Sequence, residues 1–481
     1  MRRVSDTGIF VEVFKILLRI IGFLKGSKYK YSQSYEDNFK TMDLPEKLWW
    51  AYKALIKQIE NAEAGKDIEG YFARQELEFG NGDSFRMEGE PVMTEGRPDI
   101  AESSPAITEN EPGIEKSSLI ITAGGDLSCS DVISPESTLH LWDEVEDFFM
   151  TGDIVCANLE SPVDPSKPAK KLPAVCLTAP ALNTTPEMFE RYVRGGSGIN
   201  FFSTANNHSL DQGEDGLLAT LEFLDSKGCM HVGTSRTPGE QSDIPVIEKN
   251  GIRVAFISYT YCLNSFDPIP GKEYMTNMLR LNKPGTDISL IEEHVAAARR
   301  KKADVIIALL HWSIEFETYP VENVINMGHR IMECGVDIII GGHPHVAQPM
   351  EKYCFSDPYT GRRKEGFIIY SLGELVSYNA FSRNSRLALL LRMELSRGSG
   401  GGSEGTMITC IKVLPVYTLI RKGVDGSCDY RLLDFRKMMK QLENGINPYG
   451  FIMKEKMELK RLERLLYDKL LPSKHAALLV I

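Results

Sequence analysis

An apolar run that ends in two glycines and two histidines constrains the fold of this chain more than any other stretch. It spans residues 336–346 and reads Val-Asp-Ile-Ile-Ile-Gly-Gly-His-Pro-His-Val. Its three consecutive isoleucines predict a parallel strand covered on both faces, and Gly341-Gly342 allows a tight backbone turn. His343 and His345 then lie at the carboxyl end of the strand, with a proline limiting the backbone freedom between them. Such a pair either makes ordinary loop contacts or forms part of a site.

Length and composition divide the chain into segments. The 481 residues are 42% hydrophobic and 25% charged, as in soluble globular proteins. The net charge of -11 argues against a chain built to coat nucleic acid, so no nucleic-acid partner is expected. Residues 81–116 are acidic and poor in large apolar residues, and this composition predicts a disordered linker. We therefore expect a helical N-terminal module at 1–80, this acidic linker at 81–116, the main domain at 117–425 and a helical tail at 426–481.

The first helical pattern, at residues 9–24, is interrupted by charges at helical spacing, namely Glu12, Lys15 and Arg19. It therefore predicts an amphipathic helix and neither a signal peptide nor a transmembrane span. The helix either lies on a membrane surface or packs on another domain. Nine cysteines without regular spacing favour free thiols in a reducing compartment. We predict a cytoplasmic protein, with peripheral membrane contact through this helix as the open alternative.

A second helix is predicted to begin after Asp43, where Asp-Leu-Pro-Glu forms a capping box with proline in the first turn. Trp49, Trp50 and Tyr52 form an aromatic stripe on this helix. Such a stripe is either a partner-binding face or core, and core is the commoner case.

Beyond residue 117, short apolar runs alternate with helical patterns, which is typical of α/β layers. Polar side chains that can ligate metals follow five of the predicted strands: Asp126, Glu160, Asn207 with His208, His311, and His343 with His345. The carboxyl ends of strands in such sheets are where ligands bind. Carboxylate, amide and imidazole ligands suit an ion such as Mn, Fe or Zn, and they outnumber the ligands that one ion needs. The sequence therefore predicts two divalent ions that share a bridging carboxylate.

The remaining histidines have no partners at ligand spacing. We expect them at the surface or near helix ends: His140, His231, His294, His329 and His475.

The strand-end motifs resemble those of the CapA family of capsule and poly-γ-glutamate synthesis. The motifs are Asp126, Ala-Asn-Leu-Glu-Ser-Pro at 157–162, Ala-Asn-Asn-His-Ser-Leu-Asp at 205–211, His311-Trp312, Gly-His-Pro-His-Val at 342–346 and Tyr-Ser-Leu-Gly at 370–373. The family is similar to calcineurin-like metallophosphoesterases. The resemblance covers about residues 117–420 and implies a layered, metallophosphoesterase-like α/β sandwich.

The resemblance also implies a role for each motif residue. The metal ligands would form two sets with one carboxylate in common: Asp126 and His345, Asn207 with His311 and His343, and Glu160 as the bridge. His208 would be the general acid, oriented by Asp211.

The implied reaction is hydrolysis by a water activated by two metal ions. The substrate would be a phosphate ester, such as a phosphorylated small molecule, or an anionic polymer related to capsule or poly-γ-glutamate. The alternative is a non-catalytic component of capsule or poly-γ-glutamate synthesis or export machinery that keeps the fold.

Two positions depart from the family pattern. Ser128 stands where the wider superfamily has histidine, which removes an imidazole from one ion and favours the non-catalytic alternative. Glu374 stands where the family motif Ser-Leu-Gly-Asn ends in asparagine. We expect its carboxylate at the mouth of the site, where it would repel an anionic substrate or contact a metal.

Overall fold

A computed structural model describes residues 16–20, 42–56, 67–75, 77, 85–86, 118–129, 133–170, 180–377, 383–397, 406–423, 427–471 and 478–479. Its strands are β1 (Phe85–Arg86), β2 (Ser118–Ser128), β3 (Ile154–Asn158), β4 (Phe201–Ser203), β5 (Met230–Val232), β6 (Val246–Lys249), β7 (Ile252–Thr260), β8 (Val305–His311), β9 (Ile338–Gly342), β10 (Met350–Ser356), β11 (Arg363–Ile369), β12 (Glu374–Ser377), β13 (Leu387–Arg397), β14 (Thr406–Lys422) and β15 (Cys428–Asp434). The strands predicted in the main domain are therefore confirmed, with ends shifted by a few residues.

The α-helices span Leu44–Leu55, Ile68–Arg74, Glu146–Phe149, Pro186–Val193, Gly213–Ser226, Pro238–Ser242, Ser289–Arg300, Glu322–Glu333, Phe435–Glu443 and Met453–Leu465. Short 3-10 turns cover Arg194–Gly196, Glu273–Met275 and Asn384–Arg386, and a π-helical turn covers Leu466–Leu470. Within the described residues, no helix combines the length and the apolar character that crossing a membrane requires.

Two sheets form the centre of the molecule. The first has the order β1-β14-β13-β2-β3-β4-β5, with β12 beside β2 and β15 beside β14, and strands β2 to β5 are parallel. The second has the order β10-β11-β9-β8-β7-β6, in which β7, β8, β9 and β11 are parallel. Parallel neighbours point their carboxyl ends to the same edge, so each sheet presents its loops at one end.

Alternate side chains of each strand point to opposite faces of the sheet, so each sheet has two faces that can pack. One face of the first sheet packs against one face of the second. Phe201 of β4 and Phe256 of β7 meet between them with ring centroids 4.3 Å apart. The other face of the second sheet is covered by the helices Ser289–Arg300 and Glu322–Glu333. The other face of the first sheet is covered by Pro186–Val193, among others. The layered α/β sandwich that the resemblance implied is confirmed.

The N-terminal helices pack on this sandwich. The predicted capping box is confirmed, since Asp43 Oδ1 accepts from the Glu46 amide at 2.8 Å and the Asp43 amide donates to Glu46 Oε2 at 3.1 Å. Phe72 of the helix Ile68–Arg74 belongs to the core outside the second sheet and stacks on Tyr319 at 5.9 Å. Trp49 is 3% exposed, which agrees with the core interpretation of the aromatic stripe.

The expectations for the other segments fall largely outside the described residues. Of the amphipathic segment 9–24, the structure describes 16–20, which are helical. Of the linker 81–116, it describes β1, which pairs antiparallel with β14. The predicted helical tail at 426–481 begins with β15, which pairs with β14, and continues with the helices Phe435–Glu443 and Met453–Leu465. Both helices contribute to the core between the sheets. Within the main domain, β13 and β14 pair antiparallel.

His294 overturns one expectation, because it is buried instead of lying at the surface. Its side chain is 3% exposed on the inner face of the helix Ser289–Arg300, and Nδ1 lies 2.6 Å from the Tyr259 hydroxyl. The residue lies on the apolar face of its helix, between Ile291 and Val295. Burial lowers the pKa of His294 from 6.5 to about 4, because the imidazolium would lose its hydration.

We expect this histidine to make folding stability sensitive to acid. As the pH falls below 6.5, the unfolded chain binds a proton at this histidine, whereas the folded chain accepts it only near pH 4. The free energy of unfolding therefore declines between these two pH values. Relative to His294→Leu, the wild-type free energy of unfolding should decline by up to about 3 kcal/mol across this window. Urea unfolding at a series of pH values measures the difference, and parallel curves for the two proteins would contradict the expectation.

Candidate metal centre

The carboxyl ends of strands from both sheets meet at one buried cluster. All eight side chains predicted for the site lie there or beside it, and all eight are buried: Asp126, Glu160, Asn207, His208, Asp211, His311, His343 and His345. Some of them are far apart in sequence, since Asp126 and His343 are separated by 217 residues. The fold therefore brings together the residues that the strand-end pattern and the family resemblance selected.

One group of possible metal ligands forms around His311. Glu160, His311 and His343 each offer an atom, and these atoms lie within 4.8 Å of one another. His311 Nε2 is 2.9 Å from Asn207 Oδ1, 3.4 Å from Glu160 Oε1 and 3.2 Å from His343 Nδ1. The donor atoms converge, and this is the set that the resemblance implied for one ion.

A second group forms around His345 and shares a residue with the first. Asp126, Glu160 and His345 also offer atoms within 4.8 Å of one another. His345 Nδ1 is 3.9 Å from Asp126 Oδ2, and Nε2 is 3.9 Å from Glu160 Oε1. Glu160 is thus common to both groups.

The two oxygens of the Glu160 carboxylate differ in their hydrogen bonding. Oε2 accepts a hydrogen bond of 2.5 Å from the Ser128 hydroxyl. Oε1 is buried and has no hydrogen-bond partner among the described residues. An unsatisfied buried carboxylate oxygen is costly unless a cation or donor completes it. Ser128, which replaces the expected histidine, therefore orients the carboxylate that the two groups share.

The charges of the cluster are strongly coupled. Burial and the neighbouring Glu160 raise the pKa of Asp126. Burial opposes ionisation of Glu160 as well, but the imidazoles of His345 and His311 outweigh it and lower the pKa of Glu160. Burial and the nearby His311 lower the pKa of His343 well below its usual value, so this imidazole is neutral. A neutral imidazole beside an ionised carboxylate is the form in which these residues bind metals.

The backbone at the end of β9 is unusual and brings the histidines inward. His343 and His345 have φ of 93° and 57°, a region that non-glycine residues rarely adopt. A Cβ atom on Gly342 would lie 2.6 Å from Asp126 Oδ1, so only glycine allows this approach. The backbone amide of His343 donates to Asp126 Oδ2 at 3.0 Å. Strain of this kind persists where the surrounding structure fixes it, commonly at functional sites.

His208 and Asp211 form a buried pair beside the cluster. His208 Nδ1 lies 2.6 Å from Asp211 Oδ2, and the Leu182 amide donates to the same oxygen at 2.6 Å. Burial alone would lower the pKa of His208, but the Asp211 carboxylate outweighs it and raises that pKa. With Nδ1 bonded to Asp211, Nε2 is left to exchange protons, and Asn264 Nδ2 lies 3.4 Å from it. Asp211 therefore fixes the orientation of the His208 ring.

Glu374 is buried beside the cluster, so its expected place at the mouth of the site is wrong. The residue is 4% exposed, and its Oε1 lies 3.3 Å from His345 Nδ1 and accepts from the Ser377 hydroxyl at 2.7 Å. Burial raises the pKa of Glu374 to about 7. Its carboxyl group therefore contacts a candidate metal ligand.

Sequence reasoning missed several polar side chains around the cluster. Asn158 Nδ2 donates to Asp126 Oδ1 at 2.9 Å, and the Tyr261 hydroxyl lies 2.8 Å from His343 Nε2. Glu315 Oε1 lies 3.5 Å from His345 Nε2, and Glu315 forms a further possible ligand group with His343 and His345. Asn158 ends β3 and could have been selected by the strand-end rule. Glu315 lies four residues beyond β8 and carried no such signal.

Comparison with known proteins identifies the family of this chain. Residues 120–379, more than half of the 481-residue chain, match the family model described as bacterial capsule synthesis protein PGA_cap. The PGA biosynthesis protein CapA of Bacillus subtilis is 26% identical over 279 residues, which cover 57% of this chain and 66% of that protein. The capsule biosynthesis protein CapA of Bacillus anthracis is 25% identical over 283 residues, which cover 57% of this chain and 64% of that protein.

The chain thus spans just under two thirds of the length of these two relatives. A crystal structure of a hypothetical protein from Thermus thermophilus aligns with 62% of this chain and 99% of that chain at 15% identity and a TM-score of 0.34, too low to support any conclusion. The family match alone runs from β2 to β12, the strands that present the buried cluster. The chain therefore belongs to the PGA_cap family of bacterial capsule synthesis proteins, as its strand-end motifs indicated.

Proposed function

We propose that this protein is a metal-dependent hydrolase of the CapA-like metallophosphoesterase type that acts in capsule or poly-γ-glutamate synthesis. The observation that carries the proposal is the buried Glu160 carboxylate, which belongs to both groups of possible ligands and whose Oε1 has no hydrogen-bond partner among the described residues. The residues fit two divalent cations: Asp126, Glu160 and His345 would hold one, and Glu160, Asn207, His311 and His343 the other. Mn, Fe and Zn all suit this mixture of oxygen and nitrogen ligands.

Two such cations, when bound, would lower the pKa of a water molecule and stabilise negative charge at the reacting centre. The chain's own residues supply the remaining requirements. Ser128 fixes the shared carboxylate through its hydrogen bond to Glu160. Asp211 fixes the His208 ring, so that Nε2 holds a proton for the departing oxygen of the substrate. Burial of the cluster excludes bulk water, which strengthens each of these interactions.

The substrate class follows from the proposed chemistry and from the names of the relatives. A phosphate ester suits a pair of cations and a general acid. An amide bond of a γ-glutamyl polymer is the second possibility, because the same groups would polarise a carbonyl. A non-catalytic component could keep the metals for structural support, but it would not need the His208–Asp211 pair. The presence of this pair therefore favours a catalytic role.

The test is metal content together with turnover. Full-length protein purified without chelators should contain two equivalents of divalent metal by elemental analysis. It should also hydrolyse a generic phosphodiester, a phosphomonoester or a γ-glutamyl polymer when Mn²⁺ is supplied. One equivalent or none, with no turnover of these substrates under any divalent ion, would overturn the proposal and assign the protein to the non-catalytic class.

A further inference from the structure

The helix Leu44–Leu55 precedes the family-matched residues 120–379, yet it contacts the loop that follows β8. The indole Nε1 of Trp50 donates a hydrogen bond to Glu315 Oε2. The Trp50 ring also packs against Phe316, with centroids 5.8 Å apart and planes tilted by 57°. One side chain of the N-terminal helix therefore contacts two consecutive residues of this loop.

Both of these loop residues contact His345. The other oxygen of the same carboxylate, Glu315 Oε1, lies 3.5 Å from His345 Nε2. The Phe316 ring stacks on the His345 imidazole with centroids 5.8 Å apart and an interplanar angle of 30°. Trp50 thus reaches a candidate metal ligand by two routes, one polar and one aromatic, each through a single residue.

The loop is anchored to the helix and to the β9 turn on either side. Lys53, one turn after Trp50, forms an ion pair of 3.2 Å with Glu317, and both side chains are fully buried. The Phe316 amide donates to the Pro344 carbonyl at 2.9 Å, between the two histidines. Phe316 itself has φ of 61°, a conformation that its contacts must hold. The helix, the loop and the histidine turn therefore form one packed unit.

We propose that Trp50 is a positioning residue for the metal centre: it holds Glu315 and Phe316 against His345 and so fixes the imidazole for metal binding. The inference rests on the proposed function, because it concerns the same centre. A carboxylate beside a ligating imidazole fixes the orientation of the ring and raises its basicity, and losing such a contact weakens metal binding. The metal centre of this protein thus extends beyond the family-matched domain to its N-terminal helix.

The test is calorimetric titration of the full-length protein with Mn²⁺. Trp50→Phe keeps a ring but loses the indole donor, and should weaken one of the two Mn²⁺ sites by about 10-fold, the lower end of the effect seen for such supporting contacts. Glu315→Gln should weaken the same site by about 10- to 100-fold. Because Trp50 acts through Glu315, the double variant should bind no more weakly than Glu315→Gln alone.

Trp49→Phe is the matched control, since Trp49 lies on the same helix and stacks on Tyr52 at 5.3 Å. It should leave both Mn²⁺ affinities unchanged. Thermal unfolding shows whether each variant is folded. If Trp50→Phe does not fold, Glu315→Gln, which leaves the helix intact, still reports the Mn²⁺ affinity. Unchanged affinities in either variant, or additive losses in the double variant, would overturn the inference. Wild-type protein that binds no Mn²⁺ would instead overturn the proposed function.

Discussion

Glu160→Gln should abolish the binding of both divalent cations while the protein remains folded. Glu160 is the one residue common to the two ligand groups, and its Oε1 is the buried oxygen without a hydrogen-bond partner among the described residues. Glutamine keeps the size of the side chain and can still accept from Ser128, but it loses the negative charge that a cation requires. Because the charge is shared, one substitution should empty two sites.

Metal content and metal-dependent stability measure this result. Mn²⁺ should stabilise wild-type protein by about 2.7 kcal/mol for each site at which it is present at about 100 times its dissociation constant, because the ion binds only the folded chain. Glu160→Gln should contain less than one equivalent of metal and show no stabilisation by Mn²⁺. A variant that still binds two equivalents would contradict the bridging role.

A second buried glutamate provides the control. Glu351 is fully buried away from the cluster, where its carboxylate accepts from the Tyr71 and Tyr370 hydroxyls at 2.6 and 2.9 Å. Glu351→Gln removes a buried charge of the same kind and should lower the stability, but it should leave two equivalents of metal. The comparison separates loss of the site from the general cost of changing a buried carboxylate.

The residues of the cluster could be predicted because strand ends are visible in the sequence. A buried parallel strand reads as an apolar run, and the polar residue that interrupts it must lie at an edge of the sheet. Asp126, His311 and His343 were selected in this way, and their convergence follows from parallel pairing within each sheet and from the packing of the two sheets. The pattern required no knowledge of side-chain contacts.

Contacts made through loops and helices left no comparable signal. Trp50 and Glu315 are 265 positions apart, and nothing in the aromatic stripe of the helix shows which ring faces the loop. The sequence predicted Glu374 at the mouth of the site, because the motif gives the position of this residue along the chain but not its burial in the fold. The same limit applies to His294, since a single polar residue on an amphipathic helix face does not reveal its burial.

The second prediction with a large expected effect is a loss of turnover that leaves the metal ions bound. His208→Ala should reduce turnover by about 10²- to 10⁴-fold, the usual contribution of a general acid, with two equivalents of metal retained. His208 is held by Asp211 and belongs to neither ligand group, so its removal should spare the cations. Asp211→Asn should lower turnover less, because the imidazole remains but loses its fixed orientation.

A second histidine–aspartate pair provides the comparison that decides this role. His231 Nε2 lies 3.1 Å from Asp225 Oδ1, and His231 belongs to none of the possible ligand groups, so His231→Ala removes a pair of the same type outside the cluster. It should leave turnover unchanged. If His208→Ala keeps full activity, the general-acid role is wrong; if it loses metal together with activity, His208 supports the metal centre instead. Only the loss of turnover with intact metal content identifies a proton donor, because a structural metal site has no use for one.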